Sequence, residues 1–166
     1  MDRLFCYLWF DMSTGTIDRA DVVLNIGAAE DTAECNDWVK MLLRMYGRYC
    51  EAHGLKYEVV ADQPGRASVQ VTGADHGRFK AEHGVHRLSR ISPFDPNRRR
   101  HTSFASVDVA QAGHGPASPS SQYIRAYILS PRAAVVELRT GFTADIPEKV
   151  LDGDLDQFID AWSKAG

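Results

Sequence analysis

One amphipathic segment constrains the fold of this chain more than any other feature of its sequence. The large apolar residues that share one helix face, three or four positions apart, are Trp38, Leu42, Met45 and Tyr49. Asp31 or Thr32 can cap the start of the segment, and Gly54 can end it. The pattern predicts a long helix over residues 32–54 with one buried face.

Strand-like runs surround this helix. They are rich in β-branched residues or alternate in polarity, and they lie at 22–27, 55–60, 67–73, 85–91, 101–110, 121–130 and 134–140. A short helix is predicted within 74–84, and a terminal helix over 148–165 with Asp154 as its N-cap. Strands and helices are mixed without a regular βαβ alternation. This favours an α+β fold with an antiparallel sheet, a long helix and a C-terminal helix.

Length and composition indicate the class of protein. The chain has 166 residues, of which 44% are apolar and 25% charged, as in an ordinary single globular domain. It has no run of 18 apolar residues, so no membrane partner is expected. The cysteines Cys6, Cys35 and Cys50 show no CxxC spacing, which favours reduced thiols and a cytoplasmic location.

The sequence contains no recognised catalytic or metal-binding motif. It has no Gly-rich phosphate loop, no nucleophile elbow and no HExxH pattern. His83, His86 and His101 do not combine with a cysteine or carboxylate in a metal-ligand spacing. We therefore expect no catalytic residues, no metal and no cofactor, and a binding protein rather than an enzyme.

Charge is distributed unevenly along the chain. Residues 78–102 hold seven bases and two acids, whereas residues 137–160 hold seven acids and two bases. These segments are either two solvated surfaces that attract each other, or the basic one binds an anionic partner such as nucleic acid.

The basic segment contains SPFDPNRRR, predicted to be a loop because its two prolines and Asn97 interrupt a strand ladder. The loop suits recognition of single-stranded RNA. His101 can stack on an unpaired base, the hydroxyls of Ser92 and Thr102 can bond its edge, and arginines can hold phosphates. Each base stacked on an aromatic ring contributes roughly 1–3 kcal/mol. Alternatively, Phe94 and Phe104 are core anchors of the hairpin.

Four segments of the sequence resemble one known family. AEHGVHRLSRISPFDPNRRRHTSFASVDV closely resembles the codon-reading segment of bacterial class I peptide chain release factors, and Ser92-Pro93-Phe94 matches the motif of the type that reads UGA and UAA. DWVKMLLRMYGRYCEAHGLKYEVV, SQYIRAYILSPRAAVVELRTG and VLDGDLDQFIDAW resemble other parts of the same family. The resemblance covers nearly all of residues 21–164. It implies one compact codon-recognition superdomain.

The resemblance also implies a domain organisation. Residues 1–20 correspond to a remnant of the family's N-terminal helical domain, and residues 21–110 to its codon-recognition domain. Residues 111–120 form a linker where the family carries a Gly-Gly-Gln domain for peptidyl-tRNA hydrolysis. The chain contains no Gly-Gly pair. Residues 121–166 pack on the codon-recognition domain. The implied function is stop-codon binding at the small-subunit decoding centre without hydrolysis.

Residue roles carry over by position. The expected codon-binding residues are Ser92, Pro93, Phe94, His101, Thr102, Glu34 and Asp31. The expected phosphate-binding residues are Arg87, Arg90, Arg98, Arg99 and Arg100. The family reads the first base with a Gly-Gly-Thr-Glu tip, and here Asp31, Thr32, Ala33 and Glu34 stand there. The loss of both glycines weakens the expectation of close backbone approach to the first base.

Three other functions remain open. The chain is a repurposed RNA-binding protein that acts on a specific transcript, or the codon-reading half of a split release factor whose hydrolytic domain is supplied by a second chain. It is otherwise an accessory protein with a new activity, such as ribosome protection.

Overall fold

A computed structural model describes residues 21–115 and 118–166, and the predicted N-terminal remnant in 1–20 lies outside the described residues. The strands are β1 (Val22–Ala28), β2 (Lys56–Gln63), β3 (Arg66–Thr72), β4 (Gly84–Ile91), β5 (Arg100–Gln111), β6 (Tyr123–Ile128), β7 (Ala134–Glu137) and β8 (Thr143–Ala144). The helices are α1 (Ala33–Ala52), α2 (His76–Phe79), α3 (Pro147–Leu151) and α4 (Asp156–Ala165), with a 3-10 turn at Lys80–Glu82. Gln111, placed in the predicted linker, is the last residue of β5.

The eight strands form one sheet in the order β2-β3-β1-β5-β4-β6-β7-β8. The predicted α+β class is confirmed, but the sheet is not wholly antiparallel, because β6 runs parallel to β4 with His86 opposite Arg125. The physical reason is the connection after β5. It carries the chain past β4 to the far side of that strand, so β6 starts at the same end of the sheet as β4 and runs in the same direction.

The predicted long helix is confirmed as α1. Thr32 is its N-cap, and the Thr32 hydroxyl accepts a hydrogen bond from the Cys35 N–H at 3.1 Å. The face predicted to be buried packs on the sheet, with Trp38, Leu42 and Met45 fully buried. Trp38 donates its indole N–H to the backbone carbonyl of His86 at 3.1 Å, which fixes the helix against β4.

The segment after the linker shares this core. Tyr127, Leu155 and Phe158 are buried in the same hydrophobic cluster as residues of β1, α1 and β5. The fully buried Arg125 donates to Glu82 at 2.7 Å and to Glu137 at 3.2 Å. Burial alone would lower the pKa of Arg125, but these carboxylates raise it well above its usual value. A buried ion-pair network therefore ties β6 and β7 to the turn before β4.

The prediction of one terminal helix capped by Asp154 is wrong. The segment is divided into α3 and α4, and the N-cap of α4 is Leu155, without a side-chain capping bond. The division occurs at Gly153, whose φ of +103° is a left-handed conformation suited to glycine. A Cβ at this position would lie 2.6 Å from the backbone nitrogen of Tyr49, so the chain here presses directly on α1.

Within the described ranges, no helix is long and apolar enough to cross a membrane.

Candidate functional site

The SPFDPNRRR segment forms the connection between β4 and β5, as its prolines predict. Ile91 and Arg100 are the last paired residues of the two strands. The Ser92 N–H donates to the Arg99 carbonyl at 3.1 Å and closes the loop that we call the 92–99 loop. Arg98 adopts a φ of +53°, so a non-glycine residue holds the left-handed position of this turn.

Asp95 organises the 92–99 loop from within. Its side chain is 4% exposed. One carboxylate oxygen accepts the Asn97 N–H at 2.8 Å, and the other accepts Arg99 Nε–H at 2.7 Å and His101 Nε2 at 2.8 Å. These bonds hold the pKa of Asp95 well below its usual value, and the bond from His101 has the largest effect. Because an ionised carboxylate only accepts, His101 carries a proton on Nε2.

A second set of bonds joins the 92–99 loop to the start of α1. Ser92 is 3% exposed, and its hydroxyl donates to Glu34 at 2.6 Å while accepting the Phe94 N–H at 3.1 Å. Glu34 also accepts Arg90 Nε–H at 2.7 Å, and Asp37 accepts from the same guanidinium at 2.7 Å. The helix start, the loop and β4 are thus linked through a single glutamate.

Arg90 belongs to this framework. Its side chain is only 13% exposed. Burial alone would lower the pKa of Arg90, but the hydrogen bonds to Glu34 and Asp37 raise it. Arg90 was predicted to bind a phosphate, but its guanidinium donates to two carboxylates of the chain itself.

The other predicted arginines lie in different surroundings. Arg98, Arg99 and Arg100 are exposed on the 92–99 loop and the start of β5, and the Arg99 side chain is 70% exposed. Arg87 is half-buried on β4. The loop therefore presents three solvent-facing guanidinium groups, one of which also pairs with Asp95.

The aromatic residues of the hairpin divide in the same way. Phe94 is 52% exposed, so its ring is not part of the core. Phe104 is half-buried and packs against Tyr123, with ring centroids 5.3 Å apart. The core-anchor alternative therefore fits Phe104 better than Phe94.

The start of α1, the 92–99 loop and β5 enclose a groove with a volume of about 370 Å³, which we call the loop groove. Its lining includes Glu34 from α1, Ser92 and Phe94 from the loop, and His101 and Thr102 from β5. Five of the seven predicted codon-binding residues thus meet in one groove. Pro93 is exposed outside the lining. Asp31 is also outside it, accepting a hydrogen bond from Asn36 at 3.2 Å.

Sequence reasoning missed two acids that shape this site. Asp95 precedes Pro-Asn, a pattern typical of an Asx turn, and the bond from Asn97 to its carboxylate is that turn. Asp37 lies one helix turn after Glu34, so both carboxylates can face one arginine, but no local pattern identifies Arg90 as their partner.

The loop groove offers the chemistry needed to read an unpaired base. It combines an exposed phenyl ring, an imidazole side chain that is 41% exposed, two hydroxyls and a carboxylate, with arginines at the loop. Rings supply stacking, hydroxyls and carboxylates bond base edges, and guanidinium groups bind phosphates.

The sequence of this chain is similar to those of known proteins. A family model described as the PCRF domain matches residues 11–107. Peptide chain release factor 2 of Staphylococcus epidermidis is 50% identical over 102 residues, or 57% of this chain and 28% of that protein. Its counterpart in Chlamydia muridarum is 47% identical over 106 residues, with the same two coverages. The match therefore spans less than a third of these relatives' length.

Likeness extends to structure. RF2 of Thermus thermophilus superposes with a TM-score of 0.75 at 26% identity, over 96% of this chain and 71% of that chain.

Proposed function

The chain belongs to the family defined by the PCRF domain, and from that premise we propose that it reads the stop codons UGA and UAA at the decoding centre of the small ribosomal subunit. We propose further that it does so without hydrolysing peptidyl-tRNA, and so regulates termination. The Ser92-Pro93-Phe94 tripeptide supports the choice of codons.

The observation that carries the proposal is the convergence of the predicted codon-binding side chains in the loop groove. Ser92 would bond the second-base purine, His101 would stack between the second and third bases, and Phe94 and Thr102 would meet the third. The Ser92–Glu34 bond of 2.6 Å holds the serine hydroxyl in place before RNA binds and uses its only proton, so Ser92 would bond the base as an acceptor.

The linker and the size of the chain support the absence of hydrolysis. Residues 111–120 stand where the family carries its Gly-Gly-Gln domain, and the sequence has no Gly-Gly pair. A compact chain of this length has a radius of gyration of about 15 Å. We propose that residues 1–166 would occupy a decoding site without reaching the peptidyl transferase centre of the large subunit.

Binding to ribosomes programmed with UGA, UAA, UAG or a sense codon tests the codon assignment. We expect UGA and UAA to bind better than UAG, and UAG better than sense. His101→Ala should lose roughly 1–3 kcal/mol, mainly on stop codons. Arg98→Ala combined with Arg99→Ala should weaken binding to every codon and flatten its salt dependence, because phosphate contacts carry no sequence information. Equal binding to stop and sense codons, with no effect of His101→Ala, would refute the assignment.

The first base is tested separately. Asp31→Gly removes an acid near the RNA and restores one glycine of the family's tip, so it should sharpen selection of uridine. Thr32→Gly is the less clean change, because the Thr32 hydroxyl caps α1. Its loss costs a few tenths of a kcal/mol.

Peptide release tests the second half of the proposal. The pure chain at saturating concentration on stop-programmed ribosomes should release no labelled peptide above background. Release by the pure chain would contradict it.

A further inference from the structure

A larger concave surface lies at the opposite end of β5 from the 92–99 loop. It has a volume of about 760 Å³, and we call it the Lys80 cleft. Lys80 and His83 line it just before β4, Gln122 just before β6, and Arg139 and Trp162 close another side. Gln111, the last residue of β5, also lines it, and β5 has twelve residues. At 3.4 Å per residue, the Lys80 cleft and the 92–99 loop lie roughly 37 Å apart.

The lining of the Lys80 cleft is rich in hydrogen-bond donors. It includes a lysine, an arginine and three histidines, and no Asp or Glu side chain lies among the lining residues that the structure describes. Lys80 itself is exposed and its ammonium can reach a ligand in the cleft. Ala165 and Gly166, at the C-terminal end of α4, also line the cleft and bring carbonyl groups with partial negative charge. The side of the cleft formed by Lys80 and the histidines is therefore the one that complements an anion.

A backbone hydrogen bond fixes the orientation of the His83 ring. Its Nδ1 accepts the Val109 N–H at 3.0 Å, so that nitrogen carries no proton. In the neutral imidazole the proton must then sit on Nε2. The half-buried ring thus supplies a fixed N–H donor beside the lysine.

Arg139 and Trp162 form a rigid wall of the same cleft. Arg139 donates to Glu137 at 2.7 Å and to the Ala81 carbonyl at 2.5 Å, and its guanidinium lies 5.3 Å from the centre of the Trp162 ring. Because Glu137 neutralises part of its charge, Arg139 fixes the shape of the cleft, whereas Lys80 supplies the charge.

The pKa of His76 is affected by the positive charges around the cleft. Burial lowers the pKa of His76, and the charges of Lys80 and His114 lower it further, against the opposing effect of Asp75. An anion bound between these groups would offset the charge on Lys80 and raise the pKa of His76 again.

We propose that the Lys80 cleft is a binding site for a phosphate group, held by the Lys80 ammonium and the His83 Nε2–H. The phosphate of an RNA backbone and that of a free phosphate ester share this chemistry. The site is independent of codon reading, because none of its lining residues lies in the loop groove.

Histidine ring resonances test this directly by NMR. The chain has six histidines, His53, His76, His83, His86, His101 and His114, and three of them line the cleft. Inorganic phosphate added to the full chain at constant ionic strength should shift His76, His83 and His114 and raise the pKa of His76. His53 and His86 should stay unchanged. Chloride at the same ionic strength should shift none of them.

Substitutions test whether Lys80 is responsible for the histidine shifts that phosphate causes. Lys80→Ala should weaken phosphate binding by about tenfold or more, because a charge-assisted bond is lost. Lys56→Ala, at the exposed start of β2, should change nothing. An oligoribonucleotide with a 5′-hydroxyl, in which every phosphate is a backbone diester, identifies RNA if it produces the same shifts at lower concentration. Shifts from inorganic phosphate but not from this oligonucleotide identify a free phosphate ester. Equal shifts at all six histidines, or unchanged binding by Lys80→Ala, would overturn the proposal.

Discussion

At the scale of single residues, the 92–99 loop depends on the charge of Asp95. In the folded chain its pKa is depressed, so its stabilising contribution is complete above the ordinary aspartate pKa of about 3.9. That contribution is lost as the pH falls from there towards the lower folded-state pKa. Asp95→Asn should unfold at lower urea than wild type near pH 7, and the difference should shrink below about pH 3.9.

The matched control for this change is Asp154→Asn, since Asp154 is exposed and does not cap α4. It should match wild type at both pH values. A pH-independent gap between wild type and Asp95→Asn would show that the carboxylate charge is not what holds the loop.

Two arginines with the same predicted role should behave differently. Arg90→Ala removes the buried partner of Glu34 and Asp37, and we expect it to lower the free energy of unfolding by about 3 kcal/mol. Arg99→Ala, at a side chain that is 70% exposed, should cost well below 1 kcal/mol. Urea denaturation of both variants measures the difference, and equal losses would mean that the Arg90 pairs add nothing.

At the scale of elements, Gly153 lies between α3 and α4 and holds a left-handed conformation there. Gly153→Ala combines a φ of +103° with a Cβ placed 2.6 Å from the Tyr49 nitrogen, in α1. We expect a loss of about 3 kcal/mol or more in thermal unfolding. Gly73→Ala is the control, since its φ of +77° is also left-handed but no atom lies within 4 Å of its Cβ. It should cost only about 1 kcal/mol.

Local sequence patterns predicted which helices and strands form far better than they predicted which of these elements lie next to each other. The apolar spacing of Trp38, Leu42 and Met45 is a property of one helix, and it identified α1 and its buried face. The place of β6 beside β4 depends on where the chain crosses the sheet, which no local spacing encodes. The break at Gly153 was missed because its cause is contact with α1, a hundred residues earlier.

The candidate site shows the same limit. Ser92, Phe94, His101 and Thr102 could be singled out because their types and spacing suit base recognition, and they do meet in the loop groove. The engagement of Arg90 could not be foreseen, because its partners lie more than fifty residues away in sequence. Pairing of an arginine with an acid is a tertiary property, whereas a proline-rich loop is a local one.

At the scale of the whole molecule, we expect the residues after the linker to be required for the fold, because they share its core. Deletion of residues 121–166 removes Arg125 from the buried Glu82 and Tyr127 from the core around Trp38. An unpaired buried carboxylate and an exposed apolar surface are both costly. The remaining fragment should therefore lack the sharp urea transition and the near-UV circular dichroism of the full chain. A fragment that melts with unchanged cooperativity would contradict a shared core.

The end of β5 and the start of β6 lie at the same end of the sheet, and this placement has an evolutionary consequence. Both flank the beginning of β4, with Gly84 opposite Val107 and Val85 opposite Tyr123. Ser106 and Tyr123 both lie opposite Val85, two strand spacings or roughly 10 Å apart, and β5 continues from there to Gln111. The end of β5 and the start of β6 are therefore roughly 20 Å apart. Any polypeptide whose own ends lie that close can be spliced in or excised there without shifting a strand. The entropic penalty grows by only about 0.6 kcal/mol for each doubling of the inserted length. A gene for this fold can therefore gain or lose an entire cassette at one point while its protein continues to fold.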